Sequence, residues 1–372
     1  MNNAVHKALI DALSQHQAYL FRASSQSMNE LTTLFNKLSN KQLMRLGEVL
    51  NDLSDTERKA LQGLNFSSKS KASRSLEEIK VILSEWFKSI DTELSLDFEK
   101  SALQLAIYEA TYTASLVAGT AAVIDAEKIY KTIKKTPYAG GQLMDYLFSD
   151  IASSLRKKVE YAIRDGVSQG LSNQQIIQKI KGRKSLNYSD GILQTERYAI
   201  ERQVRTARSH ISNTIYHETY KALGYTHVKF VSTLDGRTSA ICMHYSDRVY
   251  KIDEPHPKPP LHPNCRSVLV GVGEDGELSG NRPFVSDVRK VKDLPKDQRE
   301  GKIGQVSANT TFKDWFGQQD DQFQKEWLGA KRFKLYSEAN YSLEKFTDPL
   351  GRKYTLDELR EMDKKTFENL GL

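Results

Sequence analysis

The stretch from Thr233 to Val270, TLDGRTSAICMHYSDRVYKIDEPHPKPPLHPNCRSVLV, constrains this chain more than any other. It holds both cysteines, Cys242 and Cys265, three of the eight histidines, His244, His256 and His262, and five of the nine prolines. Pro255, Pro257, Pro259 and Pro260 lack a backbone donor and fix φ, so no helix can run from Asp253 to Leu261 and an extended path is expected. The short apolar runs on either side read as strands. Asp235-Gly236, after Phe230-Val231, reads as a hairpin-type turn in which Gly supplies a positive φ. His262-Pro263-Asn264-Cys265 reads as a tight turn. Arg266 then presents a planar fork of donors, expected to tie the loop to a carboxylate such as Asp235 or to backbone carbonyls.

Three chemistries remain open for this stretch. Cys242-x-His244 and His262-x-x-Cys265 offer four nitrogen and sulfur ligands of the kind a structural Zn2+ prefers. The same residues can instead form a compact loop whose thiols and imidazoles are buried and hydrogen-bonded. A Cys/His dyad is the third reading, since an imidazole stabilises a neighbouring thiolate, but no Gly-rich oxyanion turn accompanies it. A metal-assisted hydrolase or nuclease would need an open metal position and a nearby carboxylate, for which Asp235, Asp247, Asp253 and Glu254 are candidates.

D-G-R-T-S-x-x-C from Asp235 to Cys242, the Pro-rich interval, and P-P-L-H-P-N-C-R from Pro259 to Arg266 together resemble the signature of the phage Mu F-like minor head proteins, or head morphogenesis family. ARSHISNTIYHETYKALGY (Ala207 to Tyr225) is similar to the helix leading into that domain. TFKDWFGQQDDQFQKEWLGAKRFKLY (Thr311 to Tyr336) and GRKYTLDELREM (Gly351 to Met362) are similar to its tail. The signature residues are Asp235, Gly236, Arg237, Thr238, Cys242, His262, Pro263, Asn264, Cys265 and Arg266. Ser267 departs from the pattern, because many members carry a second cysteine after the Arg. The resemblance implies a minor head protein of a tailed phage or prophage, made in the bacterial cytoplasm and residing in the virion, in the head interior or at the portal vertex. It implies portal protein, capsid or scaffold components and double-stranded DNA as partners, and no catalytic residues.

The rest of the chain fits a protein of this kind. Its 372 residues suffice for two or three domains, and 39% hydrophobic with 27% charged residues is a globular composition. The net charge of +7 suits an acidic partner such as nucleic acid. Two cysteines argue against a disulfide scaffold. The N-terminus, with Asp11 in MNNAVHKALIDALSQHQ, has no apolar core of a secretory leader. The longest uncharged apolar stretch, Ala110 to Ile124, is shorter than the ~20 residues of a membrane span and reads as a buried helix; no membrane partner is expected.

Four regions are expected. Residues 1–75 read as a helical arm and linker. Leu31, Leu34, Phe35 and Leu38 form a helical stripe, continued after a break at Asn40 by Leu43, Leu46, Val49, Leu50 and Leu53; a short helix capped by Ser54 and a polar loop over 65–75 follow. Residues 76–225 read as a helical middle domain. Its apolar faces are Ile79, Ile82, Leu83, Trp86 with Phe87, and Leu143, Tyr146, Leu147 with Ile151, and a turn at Gly170 precedes a helix capped by Ser172. Within it Arg202, Arg205 and Arg208 share a helix face that can meet phosphates or pair with Glu196 and Glu201. Residues 226–300 hold the signature as a small α+β domain. Residues 301–372 form a helical tail with an aromatic cluster (Phe312, Trp315, Phe316, Phe323, Trp327) and a final helix from Lys353 to Leu370. The expected fold is mainly α, with a helical N-terminal and middle region followed by the α+β domain and tail.

Overall fold

The computed structural model describes residues 3–118 and 124–372, with side chains described from residue 25 onward except at 117 and 118. The fold is mainly α with a small α+β region. Seven helices precede the first strand among the described residues: α1 (Asn3–Asn51), α2 (Asp55–Ala60), α3 (Arg74–Ala118), α4 (Ala126–Lys134), α5 (Leu147–Ser168), α6 (Asn173–Lys181) and α7 (Ile192–Ala222). Strands β1 (His227–Val231) and β2 (Leu234–Asp235), the short helix α8 (Ala240–Tyr245), and strands β3 (Val249–Lys251), β4 (Val268–Val272), β5 (Asn281–Val285) and β6 (Ile303–Ser307) follow. The tail consists of α9 (Phe312–Gly317), α10 (Asp321–Leu328), α11 (Ala330–Glu338), α12 (Leu356–Met362) and α13 (Lys364–Leu370). No helix among the described residues is long and apolar enough to cross a membrane.

The chain divides into two compact units. One comprises Phe21–Leu105 and Tyr130–Arg208. Its core is the helical stripe of the sequence: Leu31, Phe35, Leu43, Leu46 and Leu50 on α1, and Ile79, Ile82, Leu83, Trp86 and Phe87 on α3, are all buried. The break expected at Asn40 is absent, and α1 runs through it. Asn40 points to solvent, and the few tenths of a kcal/mol its helix propensity costs are outweighed by the buried side chains on either turn. Its neighbour Ser39 is fully buried and accepts a hydrogen bond from the Trp86 indole, 3.2 Å away. Ser54 and Ser172 cap α2 and α6 in reciprocal capping boxes with Glu57 and Gln175. The polar loop before α3 is held by the Lys80 ammonium, which donates to the carbonyls of Ser68 and Ser70. Tyr146 departs from the expected apolar face: it precedes the first turn of α5 and is exposed, while Leu147 and Ile151 are buried.

The other unit comprises Met1–Leu20, Ala106–Ile129 and Ser209–Leu372. The apolar stretch from Ala110 is helical to Ala118 and buries Ala110 and Ala114; its residues 119–123 lie outside the described residues, as do the first 24 side chains, on which the expectation about a leader bears. Two three-stranded sheets follow, ordered β3-β1-β4 and β2-β5-β6. β1 pairs antiparallel with both neighbours, with Val228 opposite Tyr250 and Gly271. Gly271 lies under the Tyr220 ring of α7, where a Cβ would come within 2.9 Å, so the helix packs directly on β4. The first sheet's core gathers Tyr216, Tyr220, Val228, Phe230, Cys242, Cys265 and Leu269. A second core joins Leu234 and Met243 to the tail aromatics Phe312, Trp315, Phe316 and Phe323. The expected closing helix is two helices, because Asp363 leaves helical geometry (φ −148°), caps α13 through Thr366 N–H and accepts the Tyr341 hydroxyl.

Trp86→Ala is expected to lower the stability of the first unit by about 3–5 kcal/mol, a large core truncation. Ser39→Ala, which strands the indole N–H, should cost about 1–3 kcal/mol. Denaturant unfolding followed by circular dichroism checks both values.

Candidate functional site

Asp235 is the centre of the signature. It ends β2, is 1% exposed, and its carboxylate faces Arg266 in a two-pronged pair in which Nη1 donates to Oδ2 and Nη2 donates to Oδ1 at 2.8 Å. Arg237 adds its backbone N–H at 2.9 Å and its Nη2 at 3.3 Å, and the Thr238 hydroxyl donates at 3.2 Å. Burial alone would raise the Asp235 pKa, but the hydrogen bonds and charge of Arg266, with those of Arg237, outweigh it and hold the carboxyl below its ordinary value. Gly236 serves this turn differently from the sequence expectation. β2 pairs parallel with β5, so Asp235-Gly236 closes no hairpin, and Gly236 is absent from the positive-φ positions. The reason for glycine is space: a Cβ would stand 2.8 Å from the Val288 backbone.

The Pro-rich interval carries no helix and leads to the turn at His262, where Cys265 N–H donates to the His262 carbonyl and Asn264 adopts a left-handed φ of 59°. That turn brings two ligand-type side chains beside α8. Cys242 Sγ stands 3.5 Å from Cys265 Sγ and 3.2 Å from His262 Nε2, and the ligand atoms of all three lie within 4.8 Å of one another. Both cysteines are buried thiols, and the histidine is partly buried. The His262 ring is oriented by its other nitrogen, Nδ1, which donates to the Pro263 carbonyl at 2.9 Å. In the neutral ring the lone pair therefore sits on Nε2 and faces the sulfurs. The hydrogen bond between the two sulfurs holds the Cys265 pKa well below the ordinary thiol value, with His262 adding to the effect. The same bond, with burial, raises Cys242.

The remaining predicted residues are dispersed. His244 is not part of the group: Nδ1 meets the Thr347 hydroxyl and Nε2 accepts from Arg248, each at 2.9 Å. α8 explains this, since residues two apart on a helix point to different faces. His256 stacks on Tyr250 instead. Of the carboxylates, Asp235 is taken by Arg266, Asp247 by Arg282, Asp253 by Lys221 and Glu254 by Lys251. None belongs to the Cys/His group. The three arginines of α7 do not form an exposed stripe. Arg202 is exposed, Arg205 pairs with Glu201 at 2.8 Å, and Arg208 is buried with its Nη1 donating to Ser27. Glu196 is taken by Lys158.

Three residues make contacts that the sequence reading did not assign to them. Ser239 caps α8 through Cys242 N–H and lies 2.8 Å from His262 Nε2. Ser267, 2% exposed, accepts the Asn213 side-chain N–H at its backbone carbonyl, 3.4 Å away. Trp327 of α10 donates its indole N–H to the Thr238 carbonyl at 3.0 Å, which fixes the tail on the signature turn. The cap was legible as a Ser three residues before Cys242; the other two contacts join distant segments and leave no local pattern.

Because the folded-state pKa of Asp235 is depressed, its contribution is present above the unfolded carboxylate range and lost as the pH falls through the folded value. Asp235→Ala removes that acid-sensitive component and, by stranding Arg266, is expected to cost about 3–5 kcal/mol at neutral pH. Denaturant titrations of both proteins from neutral to acid pH should converge as the pH drops.

Residues 157–270 match the family model described as Phage Mu protein F like protein, a span that takes in α6, α7, the signature and part of β4 and leaves the tail outside. No curated protein and no solved structure matches the chain. The Asp235 clasp and the Cys/His group both lie inside the matched span, so the chain carries a segment similar to the Mu F-like proteins.

Proposed function

We propose that this is a phage head protein that acts in head morphogenesis at the portal vertex, with portal protein and capsid or scaffold components as partners. The match of residues 157–270 to the Mu F-like model carries this reading. The site chemistry supports it. Among the described residues no carboxylate joins the Cys/His group to serve as a general base, and each candidate carboxylate already has a cationic partner. The segment is therefore read as a fastener that fixes the geometry of surrounding docking surfaces, in preference to a hydrolase or nuclease centre.

Contact with packaged double-stranded DNA is a second reading, favoured by the net charge of +7. It does not use Arg205 or Arg208, which are occupied within the fold; Lys157, Lys184 and Arg202 are among the exposed cations of the same helical region.

Affinity-tagged full-length protein co-expressed with the portal protein of the same phage genome is expected to co-purify with it, and the protein should be found by mass spectrometry in purified heads. Absence from both preparations would sink the assembly reading. Binding to random-sequence duplex DNA should weaken steeply as salt rises, and affinity that ignores salt would remove the DNA contact.

A further inference from the structure

We propose that Cys242, His262 and Cys265 bind one Zn2+ ion that fastens the Pro-rich loop to α8, with the fourth position left to solvent or to a neighbouring hydroxyl. The inference stands on the geometry of the three side chains and is independent of the portal reading.

Four observations converge on it. With Zn–S near 2.3 Å and Zn–N near 2.0 Å, two sulfurs on a tetrahedron lie roughly 3.8 Å apart and a sulfur and a nitrogen roughly 3.5 Å. The sulfur–sulfur separation of 3.5 Å and the sulfur–nitrogen separation of 3.2 Å are each a few tenths of an ångström shorter, so a small outward rotation of the side chains seats the ion. The imidazole is held for ligation, its Nδ1 hydrogen committed to the Pro263 carbonyl and its Nε2 turned to the sulfurs. The donors are also supported from behind. Arg266, next in sequence to Cys265, is anchored on buried Asp235, and the Ser239 cap holds the turn of α8 that carries Cys242. Lastly, two thiolates and an imidazole form a soft set that selects Zn2+ over Mg2+ or Ca2+.

The charge balance favours the same ion. Two buried thiolates 3.5 Å apart repel each other without a cation. On binding, each thiol releases its proton to solvent, and the two negative sulfurs neutralise the metal's two positive charges. No fourth histidine, cysteine or carboxylate completes the group among the described residues, and His244 is held elsewhere by Thr347 and Arg248. The Ser239 hydroxyl lies beside the ligands, 2.8 Å from His262 Nε2.

The test is metal analysis of full-length protein reconstituted with zinc under reducing conditions and then freed of excess metal. One zinc per chain is expected for the wild type and for His244→Ala, and none for Cys242→Ser, His262→Ala or Cys265→Ser. Wild-type protein that retains no zinc overturns the proposal, as does zinc retained by Cys265→Ser or lost from His244→Ala. Because a ligand variant can fail to fold, the wild type is also loaded with Co2+. Thiolate-to-cobalt charge-transfer bands with a tetrahedral ligand-field spectrum support the site. A spectrum without them, or a Cys242–Cys265 disulfide in protein purified without oxidant, refutes it.

Discussion

A buried carboxylate needs a cation, and in the signature region that requirement organises the chain. Asp235, almost fully enclosed at the end of β2, is balanced by Arg266 from a turn 31 residues away. A pair of this kind adds little net stability over a well-packed apolar alternative, but either half left alone is costly. Its value lies in specificity: only one placement of the 262–266 turn satisfies both oxygens of Asp235. That placement also delivers Cys265 and His262 to Cys242.

A second buried pair does the same for the opposite side of the region. Arg282 of β5 donates to Asp247, and also to the carbonyls of Thr310 and Ser232, the latter just beyond β1. Burial lowers the Arg282 pKa, while Asp247 works against that shift. Asp247 in turn accepts the first N–H of α9, from Phe312. Polar contacts thus set where the aromatic tail begins, and its rings then supply the bulk of the second core. The Trp327 indole on the Thr238 carbonyl closes the circuit back to the Asp235 turn.

What the sequence disclosed follows the range of the forces involved. Local signals were legible: the caps at Ser54 and Ser172, the apolar faces of α1 and α3, the extended prolines and the turn before Cys265. Asp235 is one of the two kinds of partner that the donor fork of Arg266 leads one to expect, a carboxylate or backbone carbonyls. Features decided by tertiary packing were not. Asn40 looks like a break until the buried residues around it are counted, and Asp235-Gly236 looks like a hairpin until β2 is found parallel to β5. Arginines at helical spacing read as a stripe, but sequence alone cannot show that Arg208 lies under α1 beside Ser27.

The two clasps also explain the density of proline between them. Asp235–Arg266 and Cys242–Cys265 close nearly the same segment, one within the other. Closing a loop of this length costs only slightly more than closing a shorter one, so the larger expense is ordering the residues inside it. Pro255, Pro257, Pro259 and Pro260 reduce that expense in advance by limiting the unfolded chain. Two small sheets cannot bury a large core, and a region of this size gains more from cross-links and stiff loops than from added apolar area. A segment built this way holds its surface in one shape. The assembly role proposed above calls for that property, since such a protein would present the same face in every head it enters.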